Sequence, residues 1–284
     1  MFGSSRGIEI KQPDQLLLMR RAGLVVADAL TATVAAVRPG VTTKELDSVA
    51  ADRIASAGAL PSFFDYGAVN GRGGFPGVTC ISVNDEVVHG IPGPRVLTEG
   101  DLVSIDCGAI VEGWHGDAAR SVIVGGGAHG SAAAVALSEA TRQAMWHGIA
   151  AARLQGHVTD ISAAVEGYVR GLDVDYGIVQ EYVGHGIGSA MHQPPDVPNL
   201  GRPGRGAKIV PGMALAVEPM LTLGAPDNSM LDDDWTVVTD DGGWASHWEH
   251  TITVTRDGLW VLTADDGGEQ MLDSLDVPFG PLAD

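Results

Sequence analysis

Lysine and cysteine are both scarce in this chain. Three lysines (Lys11, Lys44 and Lys208) stand beside fourteen arginines, and the longest basic run is the pair Arg20–Arg21. Against 17 bases the chain carries 36 acids, a formal net charge of −19. Such a balance repels phosphate backbones and anionic headgroups, which argues against a direct nucleic-acid or membrane-surface binder. Two cysteines, Cys80 and Cys107, are too few to make a disulfide framework in 284 residues. No stretch approaches the roughly 18 apolar residues of a membrane span. Met1–Ile10 lacks the apolar core of a signal peptide. These absences together lead to the expectation of a cytoplasmic protein with no membrane partner.

What the chain does have is an ordinary globular composition, 45% hydrophobic, and clear punctuation. Pro13–Asp14 opens an apolar-periodic stretch (Leu16, Leu17, Ala22, Val25, Val26, Ala29, Leu30, Val34) that stops at Arg38-Pro39-Gly40, which predicts a long amphipathic helix. Thr42 with Glu45 forms a capping box for a second helix ending near Gly58. The Gly-rich segment 61–77 reads as a loop long enough to be functional. Strand-like alternation follows to Val124, then two more helices over 131–154 and 160–172, then strands again to Val261. Helix–helix–strands occurs twice, so the expectation is a single α+β catalytic domain over 1–284. It would have two pseudo-symmetric halves, about 10–125 and 126–264, with helices on a curved antiparallel sheet. From Met230 to Asp284 there are 13 acids and one base, Arg256, and residues 265–284 read as an acidic tail, surface or partly disordered. The first ten residues read as frayed.

The duplication is visible in detail. Gly100-Asp-Leu-Val-Ser-Ile-Asp106 and Gly212-Met-Ala-Leu-Ala-Val-Glu218 both run from a glycine through an alternating strand to an acid. By parity Ser104 and Gly108 share the face of Asp106, and Ala214 and Ala216 that of Glu218, while Val103, Ile105, Leu215 and Val217 point the other way. Small neighbours leave room around each acid. A carboxylate flanked by apolar strand residues is costly unless exposed, paired or metal-bound. Asp117 and Glu249 occupy matching places in the two halves. One such acid alone is more often an exposed strand residue, but four in pairwise-matched places point to a shared site.

Histidines complete the set. His185 lies in Gly-His-Gly-Ile-Gly, His192 follows seven residues later, and His89 sits in Val-Val-His-Gly-Ile-Pro. His129, His147, His157 and His247 read as structural. His250 is turned from the site by strand alternation next to Glu249, and His115 is placed outside the ligands. Four carboxylates and an imidazole suit two divalent ions of the Mn²⁺, Fe²⁺ or Co²⁺ kind better than a thiolate zinc site.

In order and spacing, these motifs are specific. Cys-Ile-Ser-Val-Asn-Asp-Glu-Val-Val-His89-Gly-Ile-Pro, Ile-Asp106-Cys-Gly, Gly-Trp-His-Gly-Asp117, Gly-His185-Gly-Ile-Gly, Glu218-Pro-Met and Trp-Glu249-His-Thr follow one another in the chain. From about Ile8 to Ala264 the chain resembles the type I methionine aminopeptidases of the pita-bread metallopeptidase fold. The resemblance implies metal-dependent removal of initiator methionine from nascent polypeptides, with a small second residue preferred. It implies two divalent ions (Co, Mn, Fe(II) or Zn): Asp106 on one, His185 and Glu218 on the other, Asp117 and Glu249 bridging. Glu218 would also act as the base, His192 would stabilise the oxyanion, and His89 would contact the scissile amide nitrogen. Tyr66, Phe75, Cys80, Met191 and Trp235 would wall the methionine pocket. A monomer working near the ribosome, without direct contact to RNA, fits this picture.

The resemblance is imperfect at the pocket. Tyr66-Gly67 and Gly74-Phe75-Pro76 are separated by about six extra residues, Ala68–Gly73, and Met191 stands where the family often has Phe. The gap from Glu218 to Glu249 has no room for the helical insertion of type II enzymes, and no domain of the prolidase kind precedes residue 10. A prolidase-like enzyme and a metal-free binding module are the alternatives, the latter disfavoured by the intact ligand set. With Phe2 as second residue, Met1 is expected to be retained.

Overall fold

The computed structural model describes residues 7–69 and 73–283. Four long helices form where the periodicity predicts them: α1 (Pro13–Ala36), α2 (Thr43–Ser56), α3 (Ala132–Ala151) and α4 (Val158–Arg170). Proline at the first turn opens α1, and the Thr42–Glu45 capping box is formed at the start of α2. A short helix, α5 (Glu269–Ser274), closes the chain.

The strands of the first half are β1 (Leu60–Pro61), β2 (Thr79–Val83), β3 (Glu86–Val88), β4 (Leu102–Val111) and β5 (Trp114–Ile123). Those following α4 are β6 (Gly177–Ile178), β7 (Gly184–Gly186), β8 (Gln193–Val197), β9 (Ala214–Val217) and β10 (Met220–Thr222). Then come β11 (Asn228–Met230), β12 (Val237–Thr239), β13 (Ala245–His247), β14 (Glu249–Val254) and β15 (Leu259–Val261). Among the described residues the main sheet runs β1-β4-β5-β14-β9-β7-β8, with β2 on β4 and β15 on β14. Its recorded pairings are antiparallel, and the two halves of the chain join where β5 meets β14. Each half contributes a helix pair and a central strand (β4 or β9) next to that seam. This is the expected α+β arrangement.

The alternation reading holds for the core. Val103, Ile105 and Cys107 are buried with α1 and α2, while Leu215 and Val217 are buried with α3 and the later strands. Two terminal segments depart from expectation. The tail is ordered and packed: Leu272 is fully buried, Val277 nearly so, and Phe279 packs beside them. The backbone N–H of Gly280 donates to Leu259 O at 2.9 Å. Its described acids face outward, so a segment that looks solvated by composition is anchored by a few apolar residues. Residues 8–11 are likewise tied down. Ile8 packs against the core, the Glu9 carboxylate accepts from Ser189 Oγ at 2.6 Å, and the Lys11 N–H donates to Gly212 O at 2.8 Å. No described helix is long and apolar enough to cross a membrane.

Candidate active site

Strand register brings the acids into one row. Asp106 on β4 pairs with Ala119 on β5, and Ala119 pairs on its other side with Glu249 on β14. Directly opposed residues in a sheet share a face, so both acids lie on the Ala119 side, as does Asp117 two residues before it. His250 pairs with Val217, which sets Glu218 beside Glu249 just beyond the end of β9. Glu218 is thus a residue after its strand, not inside it. One strand further out, Gly186 pairs with Leu215, carrying His185 to the same site. At the middle of the row Ala119 offers only a methyl group, and the space above it is left to the acids.

Three members are held from behind. Thr251 clamps Asp117, donating from Oγ1 to Asp117 O (2.8 Å) and accepting from Asp117 N (3.0 Å). Asn199 Nδ2 donates to Glu218 O at 3.3 Å. His185 makes a 2.9 Å contact between Nδ1 and Gly186 O, which requires the proton on Nδ1 and leaves the Nε2 lone pair facing Glu218 Oε1, 3.4 Å away.

The electrostatics are those of a site built for cations. Asp117 and Glu249 are buried and Asp106 is half-buried, with Asp106 Oδ1, Asp117 Oδ1 and Glu249 Oε1 lacking any hydrogen-bond partner. Burial, augmented by neighbouring carboxylates, pushes Asp106 up to about 7 and Asp117 and Glu249 well above the usual range. Burial raises Glu218 to about 8. Buried acceptors left unsatisfied in this way are explained by a bound cation. The donors of Asp117, His185 and Glu249 lie within 4.8 Å of one another, and so do those of Glu218, His247 and Glu249. An oxygen-rich set with imidazole fits divalent first-row metals.

A cavity of about 520 Å³ opens over the row. The sequence-predicted pocket residues Tyr66, Phe75, Cys80, Met191 and Trp235 line it, as do His89, His192 and the five acid and imidazole residues of the row. Phe75, Cys80 and Met191 form a buried apolar cluster with Phe63, a wall residue that sequence reading missed. Trp235 meets the Phe75 ring edge-on at 5.3 Å. Burial, and next the Asp106 charge, pushes the Cys80 thiol well up, so it stays a neutral wall. The extra loop leaves the pocket intact because the chain closes beneath it: Asp65 N donates to Phe75 O (2.8 Å) and Phe75 N to Tyr66 O (2.9 Å). Residues 70–72, within the Ala68–Gly73 insertion, lie outside the described residues.

His192 stands at the cavity mouth, its ring desolvated on the cavity side although the residue is open to solvent, with Tyr66 Oη 2.6 Å from its Nδ1. His89 packs edge-on against Tyr182 and has φ of 59°, a left-handed conformation uncommon for non-glycine residues that aims its ring into the cavity. Burial lowers His89 to about 4 and lowers His192, so both are neutral near pH 7. His115 hydrogen-bonds Ser62 and does not line the cavity. His250 is buried on the opposite side against Trp146 and Thr263. His247 is the correction. Assigned to a structural role, it lies in the cavity with Nε2 3.6 Å from Glu218 Oε2. The signal was in the sequence, since the alternation that turns His250 away from Glu249 returns His247 to the Glu249 side.

Comparison with known proteins agrees with this geometry. The description "Metallopeptidase family M24" matches residues 17–256. Methionine aminopeptidase 1 of Mycobacterium tuberculosis is 49% identical over 263 residues, 91% of this chain and 96% of that one. The methionine aminopeptidase of Clostridium acetobutylicum is 45% identical over 257 residues, 90% of this chain and 98% of that one. Among solved structures, methionine aminopeptidase from Thermotoga maritima superposes with a TM-score of 0.85 at 36% identity, covering 91% of this chain and all of that one.

Proposed function

The chain belongs to metallopeptidase family M24, and from that premise we propose how its site removes the initiator methionine from nascent proteins. The observation that carries the reading is a row of buried, unsatisfied carboxylate oxygens opening onto an apolar pocket walled by Phe63, Phe75, Cys80, Met191 and Trp235. Sulfur and aromatic edges make a soft, shape-adapting wall suited to a thioether side chain.

In this reading the residues that would hold two divalent ions (Co, Mn, Fe(II) or Zn) are Asp106 at one end of the row, His185 and Glu218 at the other, and Asp117 and Glu249 between. When bound, such ions supply Lewis-acid charge that polarises a carbonyl and makes water acidic near neutral pH. Glu218, which lines the cavity at the end of the row, takes the proton of the attacking water. Neutral His192 donates from Nε2 to the oxygen on which negative charge develops. His89 contacts the scissile amide nitrogen as it becomes the leaving amine. The pocket seats the methionine side chain, and a small second residue is preferred. The enzyme we propose is a cytoplasmic monomer acting on nascent chains near the ribosome, and its charge of −19 disfavours direct contact with nucleic acid.

Chelator-treated protein, resupplied with Co²⁺, Mn²⁺ or Fe²⁺, should hydrolyse Met-Ala-Ser and leave X-Pro peptides intact. No hydrolysis with any metal, or a preference for X-Pro, overturns the reading. Glu218→Gln should lower kcat by about a thousandfold or more, and survival of activity would remove Glu218 from the role of base.

A further inference from the structure

The Glu218 carboxylate has an imidazole on each side. Its Oε1 lies 3.4 Å from His185 Nε2 and its Oε2 3.6 Å from His247 Nε2. A separation of 3.6 Å is too long for a hydrogen bond. Two donors bound to one ion at about 2.1 Å each and 90–110° apart stand about 3.0–3.4 Å from one another. Both imidazoles therefore sit at a spacing that an ion, and not a proton, would bridge after a small adjustment.

His247 has no other employment for that nitrogen. The residue is 2% exposed, and its Nε2 has no hydrogen-bond partner. Among the described residues the buried side-chain atoms without a partner are Asp106 Oδ1, Asp117 Oδ1, Glu249 Oε1, His247 Nε2 and Ser162 Oγ. The first four belong to residues that line one cavity. A core histidine kept for packing would satisfy its ring nitrogens. Here the unsatisfied nitrogen is of a piece with the three unsatisfied carboxylate oxygens.

The backbone of His247 is fixed to the strands that carry the acids. Its N–H donates to Ser104 Oγ on β4 (3.2 Å) and Ser121 Oγ on β5 (3.1 Å), and Ser121 Oγ donates to its carbonyl at 2.8 Å. Pairing of His247 with Met220 fixes it from the other side, next to the segment that carries Glu218. A ligand so supported is preorganised toward the ion.

We propose that His247 is a further metal ligand of this enzyme, an imidazole that joins Glu218 and Glu249 in holding one divalent ion. The proposal rests on the reading of the site as a divalent-metal centre. A second imidazole shifts the donor set from oxygen toward nitrogen, which favours Fe²⁺, Co²⁺ and Zn²⁺ over Mn²⁺ and Mg²⁺.

The test is X-ray absorption of the Co²⁺-loaded full chain, with calorimetric titration of Co²⁺ and Mn²⁺ into the metal-free protein, for wild type and His247→Gln. The imidazoles bound per chain, taken as imidazoles per Co²⁺ multiplied by Co²⁺ bound, are expected to be two in the wild type and one in H247Q. Co²⁺ affinity should fall by roughly tenfold or more, and Mn²⁺ affinity by less. One imidazole in the wild type overturns the proposal without recourse to any variant. An unchanged imidazole count in H247Q overturns it too, even with weakened affinity, because His247 would then only position Glu218. A wild-type protein that binds neither metal overturns the metal-centre reading itself, a result distinct from both.

Discussion

His192 acts from the cavity mouth only if its proton is on the correct nitrogen. Burial lowers the basicity of its ring and raises the pKa of the Tyr66 phenol, so near pH 7 the phenol keeps its proton and the imidazole is neutral. In the Nε2–H tautomer that the proposed role needs, Tyr66 Oη–H donates to His192 Nδ1 across 2.6 Å and so holds the ring proton on Nε2. Tyr66→Phe removes that constraint while keeping the wall. It should lower kcat about tenfold, the worth of one well-placed hydrogen bond, with KM for a Met-Ala peptide little changed. Steady-state kinetics decides this: a raised KM at constant kcat would make Tyr66 a pocket wall and nothing more. At this scale much was legible beforehand. The motifs picked out the four acids, His185 and the pocket residues that the fold assembles, because each lies in a short stretch whose composition is unusual for its surroundings. Phe63 was not legible, since an aromatic residue in an irregular loop carries no periodic signal.

At the scale of elements, the acids depend on how closely α1 approaches the sheet. The helix crosses β5 at Gly23, where an added Cβ would lie 2.2 Å from Leu262 O, and a Cβ on Gly116 would lie 2.7 Å from Gly23 N. Gly116 alternates with Asp117, so the helix rests directly behind the strand face that carries this acid. Neither position has room for a methyl group without moving backbone. Gly23→Ala is expected to cost about 1–3 kcal/mol of stability, read as a lower urea midpoint at unchanged m-value. A midpoint equal to wild type would show that α1 can lift from the sheet freely. The four helices were predictable because their apolar spacing and caps are local. The order of the tail was not, because Leu272, Val277 and Phe279 are thinly spread among acids and take effect only where β15 and α3 provide a surface.

At the scale of the whole molecule, the site holds charge that the fold cannot solvate by itself. Burial, and for all but Glu218 the neighbouring carboxylates, raises Asp106 from 3.8 to about 7 and Glu218 from 4.5 to about 8, with Asp117 and Glu249 also well up. A carboxyl whose pKa is higher folded than unfolded contributes stability that is fully present below the unfolded value. That contribution is lost as pH rises through the folded one. The metal-free protein should therefore lose thermal stability from about pH 4 to about pH 8, beyond the trend of Asp106→Asn. Added divalent metal should raise Tm more at about pH 8 than at about pH 5, since it binds the ionised form. Differential scanning calorimetry with and without metal checks both. A metal-induced shift independent of pH would show that the carboxyls are already ionised in the metal-free fold. By itself the sequence determined the helices, the alternating strands, the family and the residues proposed to bind metal, because capping, periodicity and motif spacing are properties of short segments. Only the tertiary structure decided that Asp106, Ala119, Glu249 and Glu218 form one row and that His247 faces Glu218. Those outcomes depend on register between strands far apart in the chain, and register is set by packing across the whole sheet, which no local pattern records.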